Sequence, residues 1–345
     1  VWGNAAAEAA RIVAADVNAR GGLDIAGKKH RIEVIAYDDQ YKAADALAAY
    51  SRLVTRDGVR LMMTVGSAPT LALAPQVESD KTILITSAGV EKAVDPASKQ
   101  VFRMLSLLRD YVPEVVRWVK DNRKERRVVI LNPNDESGWA STQVARAAYG
   151  KHGFDILGDE LYERTLKDFQ PLLTKVLATN PEIIELASTT PATSGLIVRQ
   201  ARELGYKGLF VKNSGAAVGE IVDAAGKANA EGVISLHFAD ASSEAYKRLN
   251  AEYRKAINQN ADDLIIVYYD AMNAVLQAVS KAGTAEDTAK ISQAMFTRVF
   301  PMASVAGGDI ALGGGGQPGD PNQIITWSYI SVIKDGRPEF VGKVK

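Results

Sequence analysis

Hydroxyl-bearing and small residues recur at four points of the chain: Ser67 and Thr70 in VGSAPTLALAP, Ser87 in TSAG, Thr190 in STTPATS and Ser214 in KNSG. Each run follows a short apolar stretch. The first and third also lead into apolar residues at helical spacing. A helix N-terminus carries N–H groups without intrahelical acceptors and a partial positive charge, which suits a carboxylate or another anion. Ser67 and Thr70 add hydroxyls there, and Gly66 lets a ligand approach the backbone. The competing reading is that Ser67 or Thr70 only caps its own helix.

Catalysis finds no comparable support. Of the three histidines, His30 lies in the basic turn GKKHR and His152 precedes a glycine at a helix end, so both read as surface residues. His237, in SLHFAD, reads as core or hinge packing before ligand contact. No G-x-S-x-G elbow and no H-E-x-x-H helix couples a base to a nucleophile or a metal. The chain has no cysteine, and no His, Asp or Glu cluster has metal spacing. Asp38-Asp39 reads as a solvated loop start. No catalytic residue, metal or cofactor is expected.

Helices and strands alternate around these loops. Strands are predicted at 31–37 (RIEVIAY), 60–65, 82–85, 127–131, 154–161, 181–187, 208–212 and 232–236. Helices are predicted after the first residues and at 43–56, 71–79, 141–152, 169–178 and 194–204. This βα alternation argues for parallel sheets covered on both faces, and strands such as RVVIL are apolar enough for burial on both sides. Two copies of one pattern stand out. The first runs RIEVIAY, LMMTV, GSAPT, TILI, TSAG, and the second FDILGDEL, EIIELA, STTPATS, GLFV, KNSG. In open α/β sheets, ligands bind beyond the carboxyl ends of the strands, where all four loops fall. The first helix, AAAEAARIVAADVNARGG, starts almost at once. A preceding strand, and an export signal before it, are therefore expected upstream of Val1.

The 345 residues are 47% hydrophobic, enough for two domains. Lys plus Arg and Asp plus Glu both number 41. The one dense basic run, Arg123-Lys124-Glu125-Arg126-Arg127, reads as a solvated helix end, so no nucleic-acid partner is expected. No apolar stretch reaches the roughly 20 residues of a membrane span. A nucleotide-dependent enzyme finds no G-x-G-x-x-G between strand and helix, and Gly313-Gly314-Gly315-Gly316 leads into QPGDPNQ rather than a helix.

Taken in order, ADVNARGGLDIAGKKHRIEVIAYDDQYKAADALAAYSRLV, GSAPT, ITSAG, GFDILGDELY, RQARELGYKGLFVKNSG, AEGVIS and YYDAMNAVLQAV resemble the periplasmic solute-binding receptors of the leucine/isoleucine/valine-binding type, which serve ABC importers. The resemblance covers nearly the whole chain. It implies an α/β fold of two doubly wound parallel-sheet lobes joined by three hinge crossovers. These are placed near 105–109, 236–241 and 313–322, giving lobe 1 as 1–107 plus 238–318 and lobe 2 as 108–237 plus 319–345. A repressor core or receptor ectodomain shares that fold, and upstream sequence separates them: a signal peptide supports the receptor, a basic helical head the regulator.

Carried over residue by residue, the resemblance implies a carboxylate clamp of Ser67 with Ser87, Ala88 and Gly89, and an aromatic ring over the ligand at Trp2. From the second lobe it implies Gly138 where a tyrosine is common, with Trp139 compensating, then Thr190-Pro191 and Ser214. Tyr268 and Asp270 come from the helix start YYDA. Relatives that bind α-amino acids present an acid where this chain has Ser214. A buried ammonium without a carboxylate is costly, and Asp270 or Asp39 is the candidate substitute. The reading favours a carboxylic acid without an α-amine, an aromatic or keto acid, walled by Trp2, Trp139, Phe238, Tyr268 and Tyr269. An amino acid or amide is the alternative. The implied partner is an ABC permease of the inner membrane, and the implied location is periplasmic.

Overall fold

The computed structural model describes residues 2–261, 264–296, 304–307, 321–324 and 326–344, with Trp2 by its backbone only. The chain divides into two compact units, Val1–Leu107 with Ala239–Thr326 and Leu108–Phe238 with Trp327–Lys345.

The first unit opens with α1 (Trp2–Ala19) and an antiparallel hairpin of β1 (Leu23–Ile25) and β2 (Lys28–His30). Next come α2 (Ala43–Thr55), β3 (Leu61–Thr64), α3 (Ser67–Asp80), β4 (Ile83–Thr86) and β5 (Val101–Arg103). β3, β4 and β5 form a parallel sheet in that order, with Leu61 opposite Ile83 and Leu84 opposite Val101. Ala46, Tyr50, Met62, Leu73, Val77 and Leu84 fill the core between α2, α3 and the sheet. Helix α3 begins four residues before the expected 71. Pro69 is no obstacle in a first turn, where N–H groups have no helical acceptor.

The segment 31–37, expected as a strand, is not one. It runs on from β2 without strand pairing, tied to α1 by Asn18, whose Nδ2 donates to the Ile32 carbonyl and whose Oδ1 accepts from Ile32 N, both at 2.8 Å. Among the described residues no strand lies on the free side of β3, and a strand exists only through a neighbour's backbone.

The second unit continues with α4 (Leu108–Asn122), β6 (Arg127–Pro133), α5 (Glu136–Lys151), β7 (Asp155–Tyr162), α6 (Gln170–Leu177), β8 (Ile183–Glu185), α7 (Pro191–Glu203), β9 (Leu209–Gly215), α8 (Val218–Ala225), the short α9 (Lys227–Ala230) and β10 (Ile234–His237). The chain then returns to the first unit for α10 (Glu244–Ile257), α11 (Leu264–Ala282) and α12 (Thr288–Met295). It ends in β11 (Ser328–Lys334) and β12 (Arg337–Val344) of the second unit. That unit's sheet has seven strands in the order β12-β11-β10-β9-β8-β6-β7, parallel from β7 to β10 and antiparallel at β11 and β12. Val128 to Leu131 on β6 are all buried, because α6, α7 and α8 cover one face and α4 and α5 the other.

The expected boundaries need two corrections. Phe238 belongs to the second unit, where its ring meets Tyr111 edge-on at 5.8 Å. Residues 321–324 belong to the first unit, not to 319–345 of the second: Asn322 Nδ2 donates to the carbonyls of Asp95 (3.0 Å) and Val101 (2.9 Å). The Gly313–Gly316 run lies outside the described residues.

Candidate functional site

In the first unit the strand ends gather one polar network. Gly66 is the N-cap of α3 with φ 86°, and a Cβ there would lie 2.1 Å from the Tyr41 ring. Tyr41 therefore packs directly on the backbone that leads into α3. Thr70 Oγ1 donates to the Gly66 carbonyl at 2.6 Å and lies 2.6 Å from Thr86 Oγ1, which accepts from Ala88 N at 3.0 Å. Ser67 is wholly buried, and its Oγ accepts from Val90 N at 3.3 Å. Ser87 N donates to Tyr268 Oη at 3.1 Å, Ser87 Oγ lies 2.9 Å from the same oxygen, and that phenol donates to the Thr64 carbonyl. The structure thus brings Ser67, Ser87, Ala88, Gly89 and Tyr268 together.

Arg103 holds this loop from beneath. Its side chain is buried, with Nε donating to the Ala88 carbonyl (2.8 Å), Nη2 to those of Val90 (2.8 Å) and Glu91 (2.9 Å), and Nη1 to Gln323 Oε1 (2.7 Å). With carbonyls turned to the guanidinium, the N–H groups serve the other side. Among the described residues, Gly89 N–H is the one amide between Ser87 and Val90 without an acceptor, and Gly89 is half-buried. Ala68, half-buried in the first turn of α3, has no intrahelical acceptor for its N–H.

Asp39 also reaches this edge. Tyr41 N donates to its Oδ1 at 2.9 Å, and burial pushes its carboxyl above the ordinary range. Asp270 does not join the network. Its oxygens accept from Ser304 Oγ (2.7 Å), Val305 N (3.1 Å) and Ala306 N (3.2 Å), and burial pushes it up to about 6. It fastens segment 304–306 to α11. The Trp2 ring lies outside the described residues.

In the second unit, Asn132 at the end of β6 accepts from Ser188 N through Oδ1 (2.9 Å) and donates to Thr142 Oγ1 through Nδ2 (3.0 Å). Thr190 is the N-cap of α7 and donates to Thr193 Oγ1 at 2.9 Å. Trp139 is 52% exposed, its Nε1 donating to Asn134 Oδ1 at 2.9 Å. A Cβ on Gly138 would lie 1.7 Å from the Pro133 carbonyl oxygen, so that position has no room for a tyrosine. Arg164 Nε donates to Asp135, the N-cap of α5. Half-buried Ser214 donates to the Ala187 carbonyl and accepts from the Nζ of buried Lys212, which also donates to Ala187 O at 3.0 Å. Beneath them Tyr149 Oη donates to Glu185 Oε2 at 2.7 Å, and burial pushes Glu185 up to about 8.

Tyr41, Arg103, Arg164 and Lys212 went unremarked in the sequence reading. Arginine inside VFRML and lysine inside LFVKNSG were the available signals, since a charge within an otherwise buried strand is rare unless partnered. Both edges are hydrogen-bonding surfaces. Among the described residues no group of His, Asp and Glu has the geometry to hold a metal, and no helix is long and apolar enough to cross a membrane.

A family profile described as periplasmic binding protein matches residues 1–331. The leucine-, isoleucine-, valine-, threonine- and alanine-binding protein of Pseudomonas aeruginosa is 24% identical over 287 residues, 82% of this chain and 75% of the relative. Two solved structures are similar throughout. The branched-chain amino acid transporter substrate binding protein of Streptococcus pneumoniae in complex with isoleucine has a TM-score of 0.83 at 21% identity. That likeness covers 99% of this chain and 94% of the other. A solute binding protein of an ABC transporter from Rhodopseudomonas palustris, in complex with 3,4-dihydroxybenzoic acid, has a TM-score of 0.82 at 21% identity, with the same coverage.

Proposed function

The chain belongs to the periplasmic binding protein family, and we propose that it is the extracytoplasmic receptor of an ABC importer for a small carboxylate-bearing solute, an aromatic or keto acid favoured. Its relatives are solute-binding proteins of transporters rather than enzymes. The observation that carries the reading is the pair of half-buried backbone N–H groups at the strand ends of the first unit, Ala68 in the first turn of α3 and Gly89 in the loop after β4, whose neighbouring carbonyls Arg103 holds. Two such donors beside a buried guanidinium suit a carboxylate. Ser67 and Ser87 orient that loop. The resemblance assigns the remainder of the ligand to Trp139, Thr190 and Ser214. The ligand-loaded form is what an inner-membrane permease recognises, so ligand acts by stabilising one of two states.

Asp39 supports the second reading, an α-amino acid or amide. A carboxyl raised by burial gains from a ligand ammonium beside it. Relatives solved with isoleucine and with a dihydroxybenzoate are compatible with either class.

A thermal-shift screen against aromatic acids, keto acids, α-amino acids and amides tests both, with calorimetry on the hits. A ligand at a hundred times its Kd adds about 2.7 kcal/mol to stability. Stabilisation by aromatic or keto acids is the expected result. A rise with α-amino acids alone overturns the favoured class, and a flat response to the whole panel overturns the receptor reading.

A further inference from the structure

We propose that Asn134 is a positioning residue: it pins the indole of Trp139 as a flat platform at the strand-end edge of the second unit, and the pinned ring makes that edge prefer a planar aromatic acid over a saturated one. The inference deepens the receptor reading above and rests on it.

Trp139 is 52% exposed, yet its polar atom is engaged, Nε1 donating to Asn134 Oδ1 at 2.9 Å. An indole N–H can only donate, so the Asn134 amide must turn its oxygen to the ring and its nitrogen away. That nitrogen donates to Glu163 Oε1 at 3.0 Å, and a carboxylate oxygen can only accept. The chain from Trp139 through Asn134 to Glu163 therefore runs in one direction, and each bond polarises the next.

The backbone that carries these side chains is fixed as well. Asn134 directly follows β6 and Glu163 directly follows β7, and Asn134 N donates to the Tyr162 carbonyl at 2.7 Å. Trp139 stands in the first turn of α5, its N–H donating to the Asp135 carbonyl at 2.8 Å. One residue earlier, Gly138 lets that turn press on the Pro133 carbonyl. Arg164, from the chain after β7, holds the Asp135 side chain. An indole ordered before the ligand arrives has little rotamer freedom left to lose on binding. Its exposed part offers a second ring the stacked or edge-on contact that favours aromatic pairs by about threefold to tenfold beyond area alone. A cyclohexyl group of similar size forgoes that gain.

The test uses acids matched but for saturation of the ring: benzoate with cyclohexanecarboxylate, phenylpyruvate with 3-cyclohexyl-2-oxopropanoate, and phenylalanine with cyclohexylalanine. Calorimetric Kd values are measured for the wild type, Trp139→Leu, Asn134→Ala and the double variant Asn134→Asp with Glu163→Gln, with circular dichroism confirming folding. The double variant exchanges amide and acid, so the indole keeps its acceptor and the pair keeps its hydrogen bond. The wild type should prefer the aromatic member by about threefold to tenfold. Trp139→Leu should bring that ratio to about one. Asn134→Ala should narrow it by about threefold, and the exchange should restore it. In the unliganded protein, the indole N–H resonance that Trp139→Leu removes should exchange faster with solvent in Asn134→Ala than in the wild type or the exchange variant. A ratio unmoved in Trp139→Leu or in Asn134→Ala overturns the proposal, as does an exchange variant that behaves like Asn134→Ala. Should Trp139→Leu fail to fold, Asn134→Ala and the exchange variant decide. If the wild type binds no member of these pairs or of the wider screen, the receptor reading falls and the platform with it. Binding without preference for the aromatic ring sinks the platform alone.

Discussion

Arg103 Nε donates to the Ala88 carbonyl at 2.8 Å, and through this contact a buried strand residue sets the orientation of a loop fifteen residues earlier in the chain. The same guanidinium reaches Val90, Glu91 and Gln323, so one side chain ties the loop after β4 to the segment at 321–324. Replacing Arg103 by Leu takes the donor from the buried carbonyls of Ala88 and Val90, the part-buried carbonyl of Glu91 and the buried amide oxygen of Gln323. Each such group costs about 1–3 kcal/mol, offset where neighbours relax. Urea unfolding of Arg103→Leu should show a loss of about 3–5 kcal/mol. A change under 1 kcal/mol would mean that the loop keeps its shape unaided.

Gly66 and Tyr41 form a coupled pair. A methyl group at Gly66 meets the Tyr41 ring at 2.1 Å and forces a left-handed φ on an alanine. Gly66→Ala should cost about 2–3 kcal/mol, combining overpacking and backbone strain. In the double variant with Tyr41→Ala the steric part disappears, so the two losses should fall short of additivity by at least 1 kcal/mol. Strict additivity in a double-mutant cycle would show that the ring and the glycine do not constrain each other.

Glu185 makes stability depend on pH. Its carboxyl is raised from the ordinary 4.5 to about 8 by burial, so between those values the folded chain holds a proton that the unfolded chain has lost. Its contribution is therefore most favourable below about 4.5 and declines as pH rises through 8. Glu185→Gln, which keeps an acceptor for Tyr149, removes this dependence. Its stability relative to wild type should climb by a few kcal/mol between pH 5 and 8. Parallel wild-type and variant curves over that range would show that Glu185 is ionised throughout.

What was legible in the sequence follows from what each signal depends on. β6 announced itself through the run VVIL and β9 through LFV, because strand positions buried on both faces are mostly apolar. The serine and threonine runs after β3, β4 and β8 and at the end of β9 were readable because helix starts and strand ends have local chemistry. The segment 31–37 misled, since its apolar content is that of a strand while pairing depends on residues elsewhere. Gly138 illustrates a different limit: alignment offered the position of a side chain, and only the approach of the Pro133 carbonyl shows that none fits. Arg103 and Lys212 were hidden for a further reason. Their carbonyl and hydroxyl partners lie 2–25 residues away, apart from Gln323 at 220, and no spacing rule connects them.

The sheet of the second unit receives β11 and β12 only after the chain has completed α10, α11 and α12 of the first, and the first unit in turn cannot close without the strip ending at Thr326. A ribosome must therefore deliver most of the polypeptide before either half has its full complement of neighbours. Pairings across such separations form slowly, so the last helices and strands to leave the ribosome set the pace at which both halves reach their final shape.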